Sequence, residues 1–373
     1  MTDWERLARP SLRGLQRYDP GPTRDALRQQ HGLAELEPLN WNEDLFGPPS
    51  YVLEAATAEL RNAQFYPERA YADFRDRLGE WLGVPAACVV PAHGAQALIG
   101  NLATAFIEPG TPVVVPQLTY GLYAQVSAAA GARVTRVPPS GLHVDLDALA
   151  EAARANRARL VWICDPNNPT GSLLSREAWA SFLERLPGDC VVVADEAYID
   201  FADPALRAPR EADVMEGRPV IVVRSFSKIF GLAGLRLGYA VADPEVGRLL
   251  DIVQEPFNVN RVALAAGRAA LSRPDFVATR RAEVAAARAA LYDELETEGI
   301  AYHRSDTNFV LVELGVDDRP VCDALLLAGL LVRGGHEFGL PGFARVTIAP
   351  EAVMRKTARA ISAAVAAGDS SMP

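Results

Sequence analysis

From Cys88 to Val241 the chain alternates between short β-branched runs and helical stretches, and few folds accept that pattern. The expected strands are Cys88–Pro91, Pro112–Pro116, Arg133–Val137, Leu160–Cys164, Val191–Ala194, Val220–Val223 and Gly238–Val241. Helices are expected to begin near Ala95, Leu122, Asp145, Ser175 and Pro244. The strand runs are continuously apolar, so both faces of the sheet have to be covered. That predicts an α/β fold with a mostly parallel sheet between helix layers. In such sheets ligands bind outside the carboxyl ends of the strands.

The flanks read differently. Residues 1–45 are expected to be irregular, because Pro10, Pro20, Gly21, Pro22 and Pro38 interrupt any long element. This arm carries Trp4, Leu12, Leu15 and Trp41, and is expected to pack on its own body or on a partner subunit. Ser50 to Asn62 reads as a helix with Ser50 as its N-cap, and an amphipathic helix follows, ending at Leu82. After about residue 255 the long Arg/Ala/Glu-rich stretch Pro274 to Glu298 is expected to form helix in two subregions. NFVLVEL, LLVRGG and ARVTIAP then read as short strands around a helix, with a closing helix from Pro350. The division expected is an N-terminal arm, 1–45, a large domain, 46–260, and a smaller α+β domain, 261–373.

Composition narrows the function. A length of 373 residues suffices for a large buried core. The net charge of −10 leaves no basic surplus for nucleic acid or an acidic membrane surface. No run is long and apolar enough for a membrane span, and MTDWERLARPSLRG lacks a signal-peptide core, so a cytoplasmic location is expected. Cys88, Cys164, Cys190 and Cys322 form no CxxC pair and read as reduced thiols. The five histidines form no HxH or HxxxH pair, so no metal site is expected.

Lysine usage is the sharpest chemical signal. Lys and Arg together number 37, yet only Lys228 and Lys356 are lysine. Lys228 follows an apolar run in VIVVRSFSKIFGLAGLRLGY. An arginine stays protonated, whereas a lysine amine can be tuned to lose its proton and attack a carbonyl. Taken alone, Lys228 is also compatible with an ordinary surface lysine.

Three further fragments fall at expected strand ends. DPNNPTG, Asp165 to Gly171, is either a plain turn or a rigid mount for Asn168. VVVADEAYIDF ends a buried strand on Asp195, a costly placement unless the acid has a partner. One partner would be a metal in a P-loop nucleotide site, but that needs a GxxxxGK[ST] loop and no Gly-Lys pair exists. The other would be the protonated pyridine nitrogen of pyridoxal phosphate (PLP), with Tyr198 donating to the ring's 3-oxygen. PAHGAQALIGNL places Gly94, Ala95 and Gln96 where a helix start offers free N–H groups to a phosphate, unless it is only a βα turn. Tyr120 could stack on a ring, and Ser225, Ser227 and Arg236 flank Lys228 with hydroxyls and a phosphate clamp.

In that order, the fragments resemble the fold-type I PLP-dependent aminotransferases of class I/II, over about residues 35 to 350. The resemblance implies that Lys228 carries the cofactor covalently and moves protons in catalysis. It implies that Asp195 pairs with the pyridine nitrogen, that Asn168 and Tyr198 bind the 3-oxygen, and that Tyr120 stacks on the ring. Gly94, Ala95, Gln96, Ser225, Ser227 and Arg236 would hold the phosphate. Within the family, LRGLQRYDPG, LNWNEDLFGPP, FYPE, SKIFGLAGLRLGY and VRGG…ARVTIAP are most similar to the histidinol-phosphate aminotransferases. That likeness implies 2-oxoglutarate as the acceptor of the amino group. It implies Arg345 on the substrate's anionic group with Arg333 and Tyr18 nearby, and a homodimer in which Tyr66 reaches the partner's cofactor phosphate. A threonine-phosphate decarboxylase or an aromatic aminotransferase would share most of these motifs. Two residues depart from the pattern: Gln96 stands where an acid is frequent, and His93 precedes the turn. His93 is expected to be structural.

Overall fold

The computed structural model describes residues 2–16, 21–208 and 210–369. Tyr18 lies outside the described residues. The larger sheet has seven strands: β1 (Val89–Ala92), β2 (Pro112–Pro116), β3 (Arg133–Val137), β4 (Leu160–Cys164), β5 (Val191–Asp195), β6 (Val220–Ser225) and β7 (Gly238–Val241). Their spatial order is β1-β7-β6-β5-β4-β2-β3. All neighbours run parallel except β7, which is antiparallel to both β1 and β6.

The apolar strand runs have their physical reason in the two cores. Along β4, Leu160, Trp162 and Cys164 pack into one core, while Val161 and Ile163 pack into the other. Alternate residues therefore face opposite helix layers, and no position along the strand is left to solvent. Helices Leu146–Asn156 and Arg176–Arg185 start where Asp145 and Ser175 accept hydrogen bonds from Ala148 N–H (2.9 Å) and Ala178 N–H (3.1 Å).

The C-terminal part forms a four-stranded antiparallel sheet. Its strands are β8 (Tyr302–His303), β9 (Phe309–Glu313), β10 (Arg333–Gly334) and β11 (Phe343–Thr347), in the order β10-β11-β9-β8. Helices Asp275–Thr297, Asp318–Leu327 and Glu351–Asp369 pack around it. Glu37–Pro38 of the N-terminal arm pairs in parallel with Leu330–Leu331, which ties the arm to this smaller unit.

Three local expectations are corrected. The arm is not wholly irregular: Arg24–His31 is a helix, capped by Thr23 and closed by Gly32 at φ 64°. Ser50 is the first helical residue rather than the cap, a place taken by Pro49. Asp275–Thr297 is one unbroken helix of 23 residues. It contains no Gly or Pro, and its Ala, Arg and Glu residues are strong helix formers.

Candidate active site

The carboxyl ends of β1, β2, β4, β5 and β6 open into one cavity of about 1130 Å³, closed on its other side by the arm and β11. Lys228 enters it three residues after β6. Its Nζ donates to the carbonyls of Asn42 (2.8 Å) and Trp41 (3.1 Å). Desolvation, and next the charge of Arg345, push its pKa down to about 7. The amine is therefore available in its neutral, nucleophilic form near physiological pH.

Asp195 ends β5 and is buried. One carboxylate oxygen accepts from the Tyr123 hydroxyl at 2.7 Å and the other from Ala197 N–H at 3.0 Å. Among the described residues no arginine or lysine forms an ion pair with it, and burial pushes its pKa up to about 6. Tyr198 is also buried, with desolvation raising its pKa, and its oxygen accepts from Asn42 Nδ2 at 3.1 Å. The Lys228 ammonium lies 5.4 Å from the centre of the Tyr198 ring.

The turn after β4 divides its two asparagines. Asn167 bonds inward to Thr119, Leu118 and Thr170 and braces the turn. Asn168 lines the cavity, where its Oδ1 accepts from Arg345 Nη1 at 2.6 Å. Gly171 lets the turn meet the smaller unit, because a Cβ there would stand 2.2 Å from Ser305 Oγ.

A second cluster gathers at the start of helix Gly94–Phe106. Gly94 has φ 80°, and a Cβ on it would lie 2.7 Å from Arg236 Nη2. Gln96 donates to the Tyr120 hydroxyl (2.7 Å) and accepts from Arg236 (3.3 Å). Arg236 also donates to Ser227 Oγ at 3.4 Å, and Ser225 Oγ accepts from Ser227 N–H at 3.0 Å. Helix-start N–H groups, hydroxyls and a guanidinium thus converge as an anion site.

From the other side, β11 supplies Arg345, which also donates to the Asn40 carbonyl at 2.5 Å. Arg333 of β10 lines the same cavity and pairs with Glu337 at 3.2 Å. Of the residues singled out from sequence, Ala95, Gln96, Tyr120, Asn168, Asp195, Tyr198, Ser225, Ser227, Lys228, Arg236, Arg333 and Arg345 all line this one cavity. Gly94 does not line it but lies against Arg236, which does. Tyr66 does not line it: its side chain is 78% exposed and stacks on Phe257 at 4.9 Å. His93 is exposed and makes no capping bond.

Sequence reasoning missed two residues. Tyr123 reaches Asp195 from the first turn of helix Leu122–Ala129, and its closeness to Tyr120 in sequence was its only signal. Asn42 reaches Lys228 across 186 positions, and no local pattern announces that contact.

Known proteins match this chain along almost its whole length. The family model for aminotransferase class I and II matches residues 34–361. A histidinol-phosphate aminotransferase from Symbiobacterium thermophilum is 38% identical, covering 96% of this chain and 99% of the relative. One from Brevibacillus brevis is 35% identical over 89% of this chain and 91% of its own. Among solved structures, the histidinol-phosphate aminotransferase from Sinorhizobium meliloti in complex with pyridoxal-5'-phosphate superposes with a TM-score of 0.88 at 30% identity, covering 96% of this chain and 97% of the other. The chain belongs to the class I and II aminotransferases, and it is a PLP-dependent enzyme of that family.

Proposed function

We propose that this enzyme transfers the amino group of histidinol phosphate to 2-oxoglutarate. The observation that carries the reading is the separation of cations in one cavity. Arg236 belongs to the anion site at the helix start, while Arg333 and Arg345 come from the smaller sheet. One set suits the cofactor's phosphate, leaving the other for the anionic end of a substrate. The relatives at 38% and 35% identity are histidinol-phosphate aminotransferases, which supports the same substrate.

The residues fit PLP on two counts. The Gly94 cradle, which a Cβ would fill, suits a phosphate. Among the described residues Asp195 is a buried carboxylate hydrogen-bonded by neutral donors and in no ion pair, and a pyridinium N–H would give it a cation. Bound there, PLP supplies an electron sink for the pair released when the amine-bearing carbon loses its hydrogen. Lys228 Nζ, with a pKa near 7, would take that proton from the substrate carbon as general base and, as general acid, deliver it to the cofactor's carbon on the other side of the amine nitrogen. Asn168 and Tyr198 would orient the ring through its 3-oxygen, and Tyr120 would cover its face. Arg345 accepts a phosphate ester or a carboxylate in turn, since its fork matches either oxyanion.

The working unit in this reading is a homodimer. Tyr66 and Phe65, 78% and 61% exposed, form an aromatic surface away from the chain's own cavity, suited to reach a partner's. Four unpaired cysteines fit a reducing, cytoplasmic setting.

An absorbance titration of the holoenzyme tests the substrate. L-histidinol phosphate alone should abolish the cofactor's visible band, and 2-oxoglutarate should restore it. A band indifferent to histidinol phosphate overturns the assignment; carbon dioxide release from threonine phosphate would then replace it with a lyase. Lys228→Arg should retain cofactor noncovalently and lose turnover.

A further inference from the structure

We propose that Asn42 is a positioning residue for the reaction, its side-chain amide holding the Tyr198 hydroxyl so that the phenolic hydrogen points into the cofactor cavity. The inference rests on the reading of Tyr198 as the donor to the cofactor's 3-oxygen.

Asn42 is 1% exposed and adopts the left-handed conformation, φ 55°. Its backbone N–H donates to Thr347 Oγ1 at 3.0 Å. A hydroxyl has one hydrogen, and that of Thr347 goes to Asn42 Oδ1 at 3.3 Å. This fixes the amide: oxygen toward Thr347, nitrogen toward Tyr198, where Nδ2 donates at 3.1 Å. A phenol oxygen that accepts there keeps its own hydrogen for another acceptor. The carbonyl of Asn42 meanwhile accepts from Lys228 Nζ (2.8 Å) and Asn308 Nδ2 (3.1 Å). One residue thus touches both groups that face the cofactor's reactive side, the amine through its backbone and the phenol through its side chain.

Glycine at this position separates the two contacts. It adopts φ 55° without strain, keeps the N–H and the carbonyl, and deletes only the amide. The charged and titratable groups around Lys228 and Tyr198 are Arg345, Arg236, Glu43, Asp195 and Cys164, and Asn42→Gly alters none of them.

The test is the pH midpoint of the holoenzyme's visible absorbance change. A hydrogen donated to the 3-oxygen stabilises its anion and lowers that midpoint. Asn42→Gly should raise it by about one pH unit, the effect of one buried hydrogen bond. Tyr198→Phe should raise it further, and the double variant should match Tyr198→Phe alone. Thr347→Val, which frees the amide to turn, should give a smaller rise and decides the matter if the glycine variant does not fold. Should Tyr198→Phe move the midpoint while Asn42→Gly and Thr347→Val leave it in place, the role of Asn42 is overturned even if thermal stability drops. Should Tyr198→Phe itself leave the midpoint unmoved, the underlying reading of Tyr198 fails first.

Discussion

Asp195 and Glu196 are neighbours at the end of one strand, both buried, and they meet opposite electrostatic fates. Glu196 points away from the cavity into a closed network. Arg210 reaches it at 2.6 Å and Asp165 at 2.5 Å, while Arg224 reaches it at 2.6 Å and Glu211 at 2.5 Å. Burial opposes its charge, but the two arginines prevail and its pKa is lowered. Asp195 receives only a phenol and an amide N–H, and burial wins. The compensated acid holds two strand ends together. The uncompensated acid stands at the cavity, where a cationic ligand would complete it.

Substitutions at the two positions should therefore diverge. The largest effect is expected for Glu196→Gln, which removes the charge facing Arg210 and Arg224. A loss of roughly 3–5 kcal/mol in unfolding free energy is expected at pH 7, read by urea titration. Asp195→Asn should lower kcat at least about a hundredfold, as when an aligned charge is taken from a transition state. Its apoprotein should nevertheless be more stable than the unsubstituted one. Asp195 titrates near 6 in the fold, against an ordinary 3.8. Between those values the folded chain binds the proton and the unfolded chain does not, so stability falls as pH rises through that window. The fall amounts to about 3 kcal/mol and is complete above pH 6. Removing the charge should recover up to that amount at pH 8 and almost nothing at pH 4. Equal apoprotein stability for the two chains at pH 8 would break the contrast with Glu196.

The same contrast bears on how far the sequence could be read. Asp195, Asn168, Ser225 and Lys228 each lie within a few residues of an apolar strand end, and strand ends are where such a sheet opens. Position along the chain was then a proxy for position in space. Glu196 shares that strand end, but its arginines stand 14 and 28 residues away on other elements, so nothing local told its fate from that of Asp195. Asn42 and Tyr123 were hidden for a related reason, because each reaches its partner only after the arm or the helix has docked. Arg345 was visible through family resemblance rather than spacing. The Asp275–Thr297 helix was misdivided because its hydrophobic pattern is weak, although Val277, Val284, Leu291 and Leu295 are buried along its whole length.

The smallest effect sharpens the comparison most. Tyr123 is fully buried and stacked on Trp162 at 5.4 Å, whose indole N–H donates to Ser127 at 3.1 Å. The phenol therefore holds a fixed direction toward Asp195. Tyr123→Phe keeps that stack and deletes one donor to the carboxylate. Because the bond to Tyr123 lowers the proton affinity of Asp195, its loss moves the carboxyl's titration above 6. If Asp195 pairs with the cofactor's ring as proposed, cofactor affinity should fall roughly tenfold at neutral pH, about the effect of losing one hydrogen bond to a charged group. The weakening should grow as pH drops and shrink at pH 9, where Asp195 is ionised in both chains. A pH-independent loss of affinity in Tyr123→Phe would mean that the phenol serves packing alone, and that Asp195 is compensated by something other than its two neutral donors and the bound ring.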